Sequence, residues 1–237
     1  MTAGASSLTA EERAALDTLA SDLRRVFGGR LHSVAAYGLD DRPAASRGVH
    51  SLAMVERLTF ADLAACVPLA AGWTRRGLAV PLILERREFE RTLDVFPLEY
   101  GEIIARHVII AGTDPFAGAA VSSADVRRAC ELAAKSHLIH LREGYLESRG
   151  DARAVAQLIS ASAPAFGALL RNIARLEDHH GDDLATAAET QIGVPGALVR
   201  EVLAASDSAI AEPTALLARY IAATERVWEY VDSWGRR

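Results

Sequence analysis

The sequence is poor in lysine and has no long block of like charges. Lys135 is its single lysine, although lysine and arginine together number 26, and the formal net charge is only -5. Proteins that bind nucleic acids gather basic residues into one patch that contacts the phosphates. Because no such cluster is visible here, we do not expect nucleic acid as a partner.

Cysteine and long apolar runs are also scarce. The two cysteines, Cys66 and Cys130, fall inside predicted helices and are too few for a disulfide framework, so we interpret them as buried thiols in a reducing compartment. Residues 1–13 have neither the basic nor the apolar part of a signal peptide. The longest apolar run, residues 63–73, is interrupted by Pro68 and is too short to span a bilayer. We therefore expect a cytoplasmic protein without membrane contact.

Helices and strands alternate in the first half of the chain. Thr9 and Glu12 form a capping box before a helix that ends at Gly28. The pattern predicts strands at 31–37, 50–56, 79–84 and 108–111, and helices at 59–76 and 86–93. Pro81 favours an edge position or a strand start for the third strand, and Pro97 indicates a turn. We predict an α+β domain with a short mixed sheet over residues 1–118.

The second half is helical throughout. Long periodic runs cover residues 122–147 and 152–177, and the second is expected to kink or divide at Pro164. A shorter helix begins at Asp182 or Asp183, another follows residue 195, and a last one begins at Pro213. We predict an all-α helical bundle over residues 119–237.

One stretch, residues 33–56 (SVAAYGLDDRPAASRGVHSLAMVE), carries a family resemblance. It is similar to the signature of the nucleotidyltransferase superfamily, which has the polymerase-beta-like fold. In that family one strand ends in Gly-Ser, and the next carries an acid-apolar-acid triplet that holds magnesium. Small members often add a C-terminal helical bundle, and residues 94–100 and 114–118 resemble a bacterial branch of the superfamily.

The chemical groups of that signature are replaced in this chain. Gly38-Leu39 stands where the family has Gly-Ser. The positions onto which the two acids can fall, depending on register, are Gly48 or Val49 for the first and His50 or Leu52 for the second. Magnesium requires oxygen ligands, and none of these four residues supplies a carboxylate.

The resemblance therefore implies a pseudoenzyme that has lost metal-dependent nucleotidyl transfer. We expect it to bind a nucleotide without chemistry, or a protein partner, at the cleft near Gly38, Leu39 and Arg42. No catalytic residue, metal ion or cofactor is predicted. Asp40 and Asp41 follow directly and would repel a phosphate placed there.

Two enzymatic alternatives stay open. One is an active transferase whose acids come from displaced positions such as Asp40, Asp41 or Glu85. The other is a ribonuclease or toxin–antitoxin module of the HEPN type, in which Arg175 would bind phosphate and His180 would act as acid or base. The spacing of Arg175 and His180 fits that motif, although a basic helix end is also an ordinary partner of the helix dipole.

Three further groups have a structural and a functional interpretation. The first is the polar group around the Pro97 turn, which is either a solvated surface or a catalytic cluster and comprises Asp94, Glu99, Glu102 and His107. His137 and His140 are flanking polar positions or a metal pair. Tyr220, Trp228 and Trp234 are bundle core or the anchor of a homodimer interface in the helical domain.

Overall fold

The computed structural model describes residues 8–39, 48–176, 183–205 and 209–234. The chain divides into two compact units, Met1–Val121 and Ser122–Arg237. The first contains the sheet with its flanking helices, and the second is helical. This is the predicted fold class, an α+β domain followed by a helical region.

The sheet of the first unit has four strands in the order β3-β2-β1-β4. Their bounds are Leu31–Tyr37 for β1, His50–Val55 for β2, Leu82–Glu85 for β3 and His107–Gly112 for β4. Strand β1 runs antiparallel to both β2 and β4, whereas β2 and β3 are parallel. The sheet is therefore mixed, with β3 at one edge, as Pro81 predicts.

Within the described part of this unit, the sheet is flanked by the α-helices α1 (Ala10–Phe27), α2 (Phe60–Arg75), α3 (Arg86–Arg91) and α4 (Pro97–Ala105). Capping boxes begin α1 at Thr9 and α2 at Thr59, as the sequence indicates. Helices α1 and α2 share one core cluster with Val34 and Ala53 of the sheet. A second cluster joins Leu52 and Met54 to aromatic residues of the α3–α4 region. Successive side chains of β2 point to opposite faces of the sheet, so this strand contributes residues to both cores.

Two predictions in this unit need correction. The third strand begins at Leu82 rather than at residue 79, because Pro81 has no N–H to donate to a ladder. Residues around Pro97 form helix α4 rather than a turn. Proline is well tolerated at the first helical position, where its missing N–H has no intrahelical partner.

The second unit is a bundle of the helices α5 (Ser123–Ser148), α6 (Ala152–Leu176), α7 (Leu184–Ala187), α8 (Gly196–Ala204) and α9 (Pro213–Ser233). A π-helical turn, Ala188–Ile192, continues α7. Helix α6 supplies much of the core, including the fully buried Val155, Ile159 and Phe166. By length and composition α6 could also cross a bilayer, a property it shares with core helices of soluble bundles.

Of the kink or division expected at Pro164, the division is wrong, because α6 continues through this residue as one element. A proline inside a helix removes one backbone hydrogen bond. The side chains of α6 on both sides of Pro164 are buried against the bundle, including Ala163 and Phe166. We infer that this packing holds the helix together despite the lost bond.

Candidate functional site at the Gly38 end of the sheet

The resemblance directs attention to the place where β1 ends and β2 begins, which we call the Gly38 end of the sheet. It comprises Tyr37, Gly38, Leu39, His50 and His107. Tyr37 is the register partner of His50 on β2 and of His107 on β4. Residues opposite each other on neighbouring strands present their side chains to the same face. The strand register therefore aligns three ring side chains in one row.

Tyr37 is the central member of this row. Its ring centroid lies 5.7 Å from that of His50, and the two planes are inclined by 30°. Burial raises the pKa of the Tyr37 hydroxyl, and the carboxylate of Glu102 raises it further. The phenol is consequently protonated at neutral pH, so it offers a hydrogen-bond donor and an apolar face.

His107 is fixed by its neighbours. Its Nδ1 lies 3.0 Å from the carbonyl oxygen of Ile103, which can only accept, so we assign the ring proton to Nδ1. Its Nε2 lies 3.4 Å from Oδ1 of Asp114, and its ring meets Phe116 edge-on at 4.7 Å. The polar group noted around Pro97 is thus split. Glu102 and His107 serve this end of the sheet, while Asp94 and Glu99 are exposed.

Gly48 is restricted to glycine by its backbone. Its φ is +78°, and a Cβ placed there would lie 2.8 Å from backbone atoms of Gly77, Leu78 and Ala79. Hydrogen bonds fix this approach, because Val49 donates to Gly77 at 2.8 Å and accepts from Ala79 at 3.0 Å. A carboxylate side chain cannot occupy position 48 without moving the neighbouring backbone. Sequence reasoning missed this requirement, whose one visible signal was a glycine before a strand.

The other acid positions are filled differently. Val49 is 2% exposed and belongs to the core under α1 and α2, and Leu52 is fully buried in the opposite core. His50 is the exposed member of the four. Its neighbour Ser51 is 1% exposed, and its hydroxyl has no hydrogen-bond partner among the described residues. Two of the acid positions therefore serve packing.

The predicted binding residues are partly visible. Gly38 has φ +64°, which glycine adopts without strain, and Leu39 packs partly buried against the α1–α2 core. Leu39 therefore contributes an apolar contact where the family has a hydroxyl. Arg42, Asp40 and Asp41 lie outside the described residues.

Glu85 lies at the other end of the sheet. It is the register partner of Val55, five residues along β2 from His50, a separation of about 16 Å at the usual strand rise. Its Oε1 accepts a hydrogen bond of 2.7 Å from the backbone N–H of Leu58. Metal ligands lie within about 2.6 Å of their ion. Glu85 cannot share a metal with a group at the Gly38 end.

The helical unit accounts for the remaining candidates. His137 lies 2.6 Å from the hydroxyl of Tyr220, through its Nε2, and burial lowers the pKa of His137 to about 4. Tyr220 is fully buried, so it is a core residue. The ammonium of Lys135 lies 3.6 Å from the ring centroid of Trp228. Arg175 lies in the last turn of α6, whereas His180 is outside the described residues.

Among the residues that the structure describes, no group of three or more histidine, cysteine, aspartate and glutamate side chains is arranged to hold a metal ion. The two cysteines are buried free thiols, as predicted, and burial raises the pKa of Cys130 to about 12.

The class of the fold follows from this architecture and from comparison with known proteins. The structure is similar to that of a spectinomycin adenyltransferase from Enterococcus faecialis, solved with ATP and spectinomycin. The TM-score is 0.54, and the match covers 90% of this chain and 98% of that one at 12% identity. The fold is therefore that of the nucleotidyltransferases.

The sequence comparisons add no closer identification. No family model matches the sequence, and no curated protein matches it. At 12% identity the structural likeness defines the fold alone.

Proposed function

We propose that this protein is a nucleotidyltransferase-like pseudoenzyme, which binds a nucleotide at the Gly38 end of the sheet without transferring it. The observation that carries the proposal is the use of the acid positions. Gly48 has no room for a side chain, and Val49 and Leu52 are buried in the two cores. Restoring a metal-binding triplet would require rebuilding the packing around β2.

The chemistry of transfer explains why this matters. Phosphoryl groups move between oxygens with the help of metal ions that neutralise the phosphates and activate the attacking hydroxyl. Carboxylates hold those ions in this class of enzyme. The described row at the Gly38 end offers two imidazoles and a protonated phenol, and the nearby carboxylates act on that row, since Glu102 raises the pKa of Tyr37 and Asp114 lies 3.4 Å from Nε2 of His107. Such rings can stack on a base or donate hydrogen bonds, but they do not bind magnesium well.

A nucleotide is the favoured ligand because of the fold. The similar adenyltransferase was solved with ATP, and the match spans nearly all of that chain. We propose Gly38, Leu39 and Arg42 as the binding residues, with His50 presenting an exposed ring beside Tyr37. A protein partner at the same cleft is the alternative occupant, and a bacterial cytoplasmic location stays a prediction.

Calorimetric titration with each nucleoside triphosphate, with and without magnesium, tests this proposal. We expect binding that does not require the metal and that weakens when His50→Ala removes the exposed ring. His140→Ala is the control, because His140 is an exposed histidine on helix α5 of the other unit. Binding that requires magnesium would overturn the pseudoenzyme. If no triphosphate binds, the nucleotide proposal is wrong, and a protein partner becomes the expected occupant of the cleft.

An active transferase is the second candidate, since the fold neighbour is itself an adenyltransferase. Of the displaced acids suggested by the sequence, Asp40 and Asp41 are the ones to test, because Glu85 is too distant from the Gly38 end. Incubation with ATP, magnesium and spectinomycin should then release pyrophosphate. The double variant Asp40→Asn, Asp41→Asn would abolish that release. A wild-type protein that releases none under these conditions argues for the first proposal.

A further inference from the structure

Helix α2 carries an unusually apolar outward side. Phe60 is 84% exposed and Val67 is 71% exposed, and they lie on one face of the helix, two turns apart. The exposed apolar residues of α2 are Phe60, Ala61, Leu63, Ala64, Ala65, Val67, Pro68 and Ala71. A helix on the surface of a soluble protein normally turns charged or polar residues to this side. We call this set of eight residues the α2 face.

The charged residues of α2 lie outside that face. Asp62 is buried and pairs with Arg30, whose Nη2 lies 2.7 Å from its Oδ1. Arg75 ends the helix. Residues 63–74 therefore carry no charge. Two such faces can meet without opposing like charges or burying an unpaired one.

The size of the α2 face suits a weak interface. A helix of 16 residues is about 24 Å long and about 10 Å wide, so its outward half offers on the order of 400 Å². Two copies would together bury on the order of 800 Å², which is the range of weak and transient protein interfaces. A patch of this size is as large as the largest apolar patch on a typical monomer, and such patches are often functional.

The order of large and small residues along α2 matches a second copy of itself. Its first half carries the bulky Phe60 and Leu63, and its second half carries Ala71 and Gly72. In an antiparallel pair whose two-fold axis passes midway between Ala64 and Val67, Phe60 meets Ala71 of the other copy. A two-fold interface requires such self-complementarity, and antiparallel helices also oppose their dipoles.

We propose that two copies of this protein associate through the α2 face, with their α2 helices antiparallel. This inference is independent of the nucleotide proposal, since it rests on the outward side of α2, whereas Leu39 of the Gly38 end packs against the core under α1 and α2. The dimer should be concentration-dependent, because its buried area is small.

Sedimentation velocity of the full chain over a wide concentration range tests the pairing. We expect the wild type to shift from monomer to dimer as concentration rises, and Val67→Glu to stay monomeric. Leu132→Glu on α5 is the matched control, because Leu132 is 72% exposed and Val67 is 71% exposed. Three results would each overturn the proposal, namely a monomeric wild type, a dimer that survives Val67→Glu, or equal loss in both variants.

Disulfide trapping tests the orientation. The double variant Phe60→Cys, Ala71→Cys should cross-link between copies under mild oxidation, whereas Phe60→Cys alone should not. Two Phe60 positions lie about 16 Å apart in the antiparallel pair, beyond the reach of a disulfide. The native thiols do not compete, because Cys66 and Cys130 are buried. Efficient cross-linking of Phe60→Cys alone would contradict the antiparallel pairing.

Discussion

Single residues decide what the Gly38 end can do. Gly48 is fixed by a positive φ and by backbone 2.8 Å from where a Cβ would lie. Val49 and Leu52 are committed to packing, which leaves His50 as the exposed side chain of the four acid positions. The sequence shows that carboxylates are missing, but their replacement by packing residues becomes visible only when the sheet is assembled.

Gly48→Ala should destabilise the protein by about 2 kcal/mol or more. A side chain at positive φ is strained, and its Cβ would clash with backbone atoms that can move only if the local hydrogen bonds are disturbed. Urea denaturation measures the free energy of unfolding. The control is Gly29→Ala, where the added Cβ would have nothing within 4 Å. Equal losses in the two variants would contradict the close approach.

The buried pair of His137 and Tyr220 predicts a pH dependence of stability. Burial lowers the pKa of folded His137 to about 4, whereas the unfolded side chain titrates near 6.5. Between these values the unfolded chain binds a proton that the folded chain does not. Stability should therefore fall as pH drops through this window, by up to about 1.4 kcal/mol per pH unit.

Thermal or urea unfolding of wild type and His137→Phe between pH 4 and 7 checks this expectation. The variant should have a shallower pH dependence, because it lacks the titrating group. His50→Ala should retain the slope of the wild type, since His50 is exposed and lies on the sheet of the other unit. Parallel curves for wild type and His137→Phe would show that His137 is not the source.

At the scale of elements, local sequence signals predicted correctly those features that depend on a few neighbouring residues. The range of β1 agrees with its prediction, and the predicted capping box of Thr9 and Glu12 forms. Predictions failed where tertiary packing decides. Helix α6 continues through Pro164 because its neighbours are buried on both sides, and α4 begins at a proline that resembles a turn. The row of Tyr37, His50 and His107 depends on strand register, which no local pattern specifies.

The ion pair of Arg30 and Asp62 joins the start of α2 to the turn before β1. Asp62 also accepts a hydrogen bond from the backbone N–H of Thr59. The hydrogen bond from Arg30 is the main reason why the pKa of Asp62 lies well below its usual range. Arg30→Ala should therefore reduce the unfolding free energy more than Arg13→Ala. Arg13 is paired with Asp17 on the exposed side of α1.

Chemical denaturation of the two arginine variants provides the measurement. The folded-state pKa of Asp62 lies below its unfolded value, so its contribution is present above the unfolded pKa and is lost on acidification. The difference between the variants should consequently shrink as the pH is lowered through the acid range. A constant difference would show that the charge of Asp62 is not involved.

At the scale of the whole molecule, each unit has its own core. The clusters of the first unit form around its sheet, and α5, α6 and α9 pack on one another in the second. Independent cores are the mark of separately folding domains. The predicted boundary at residue 118 stays a prediction, and it leads to a direct experiment.

We expect a fragment of residues 119–237 to fold on its own. Its circular dichroism spectrum should show helix, and its thermal unfolding should be cooperative, since the core residues of α6 and α9 find their partners within the fragment. A fragment of residues 152–237 is the control, because it lacks α5 and so exposes the contact surface of α6. If the longer fragment unfolds without a transition, the second unit depends on the first.

The position of the single lysine has a practical consequence. Lys135 is the one side-chain amine of the chain, and its nitrogen lies over the indole of Trp228. Amine-selective reagents can therefore attach a dye to one known site of the helical unit, besides the amino terminus, without any mutation. The same reaction removes the cation from the indole, so the emission of Trp228 would report how far the labelling has gone.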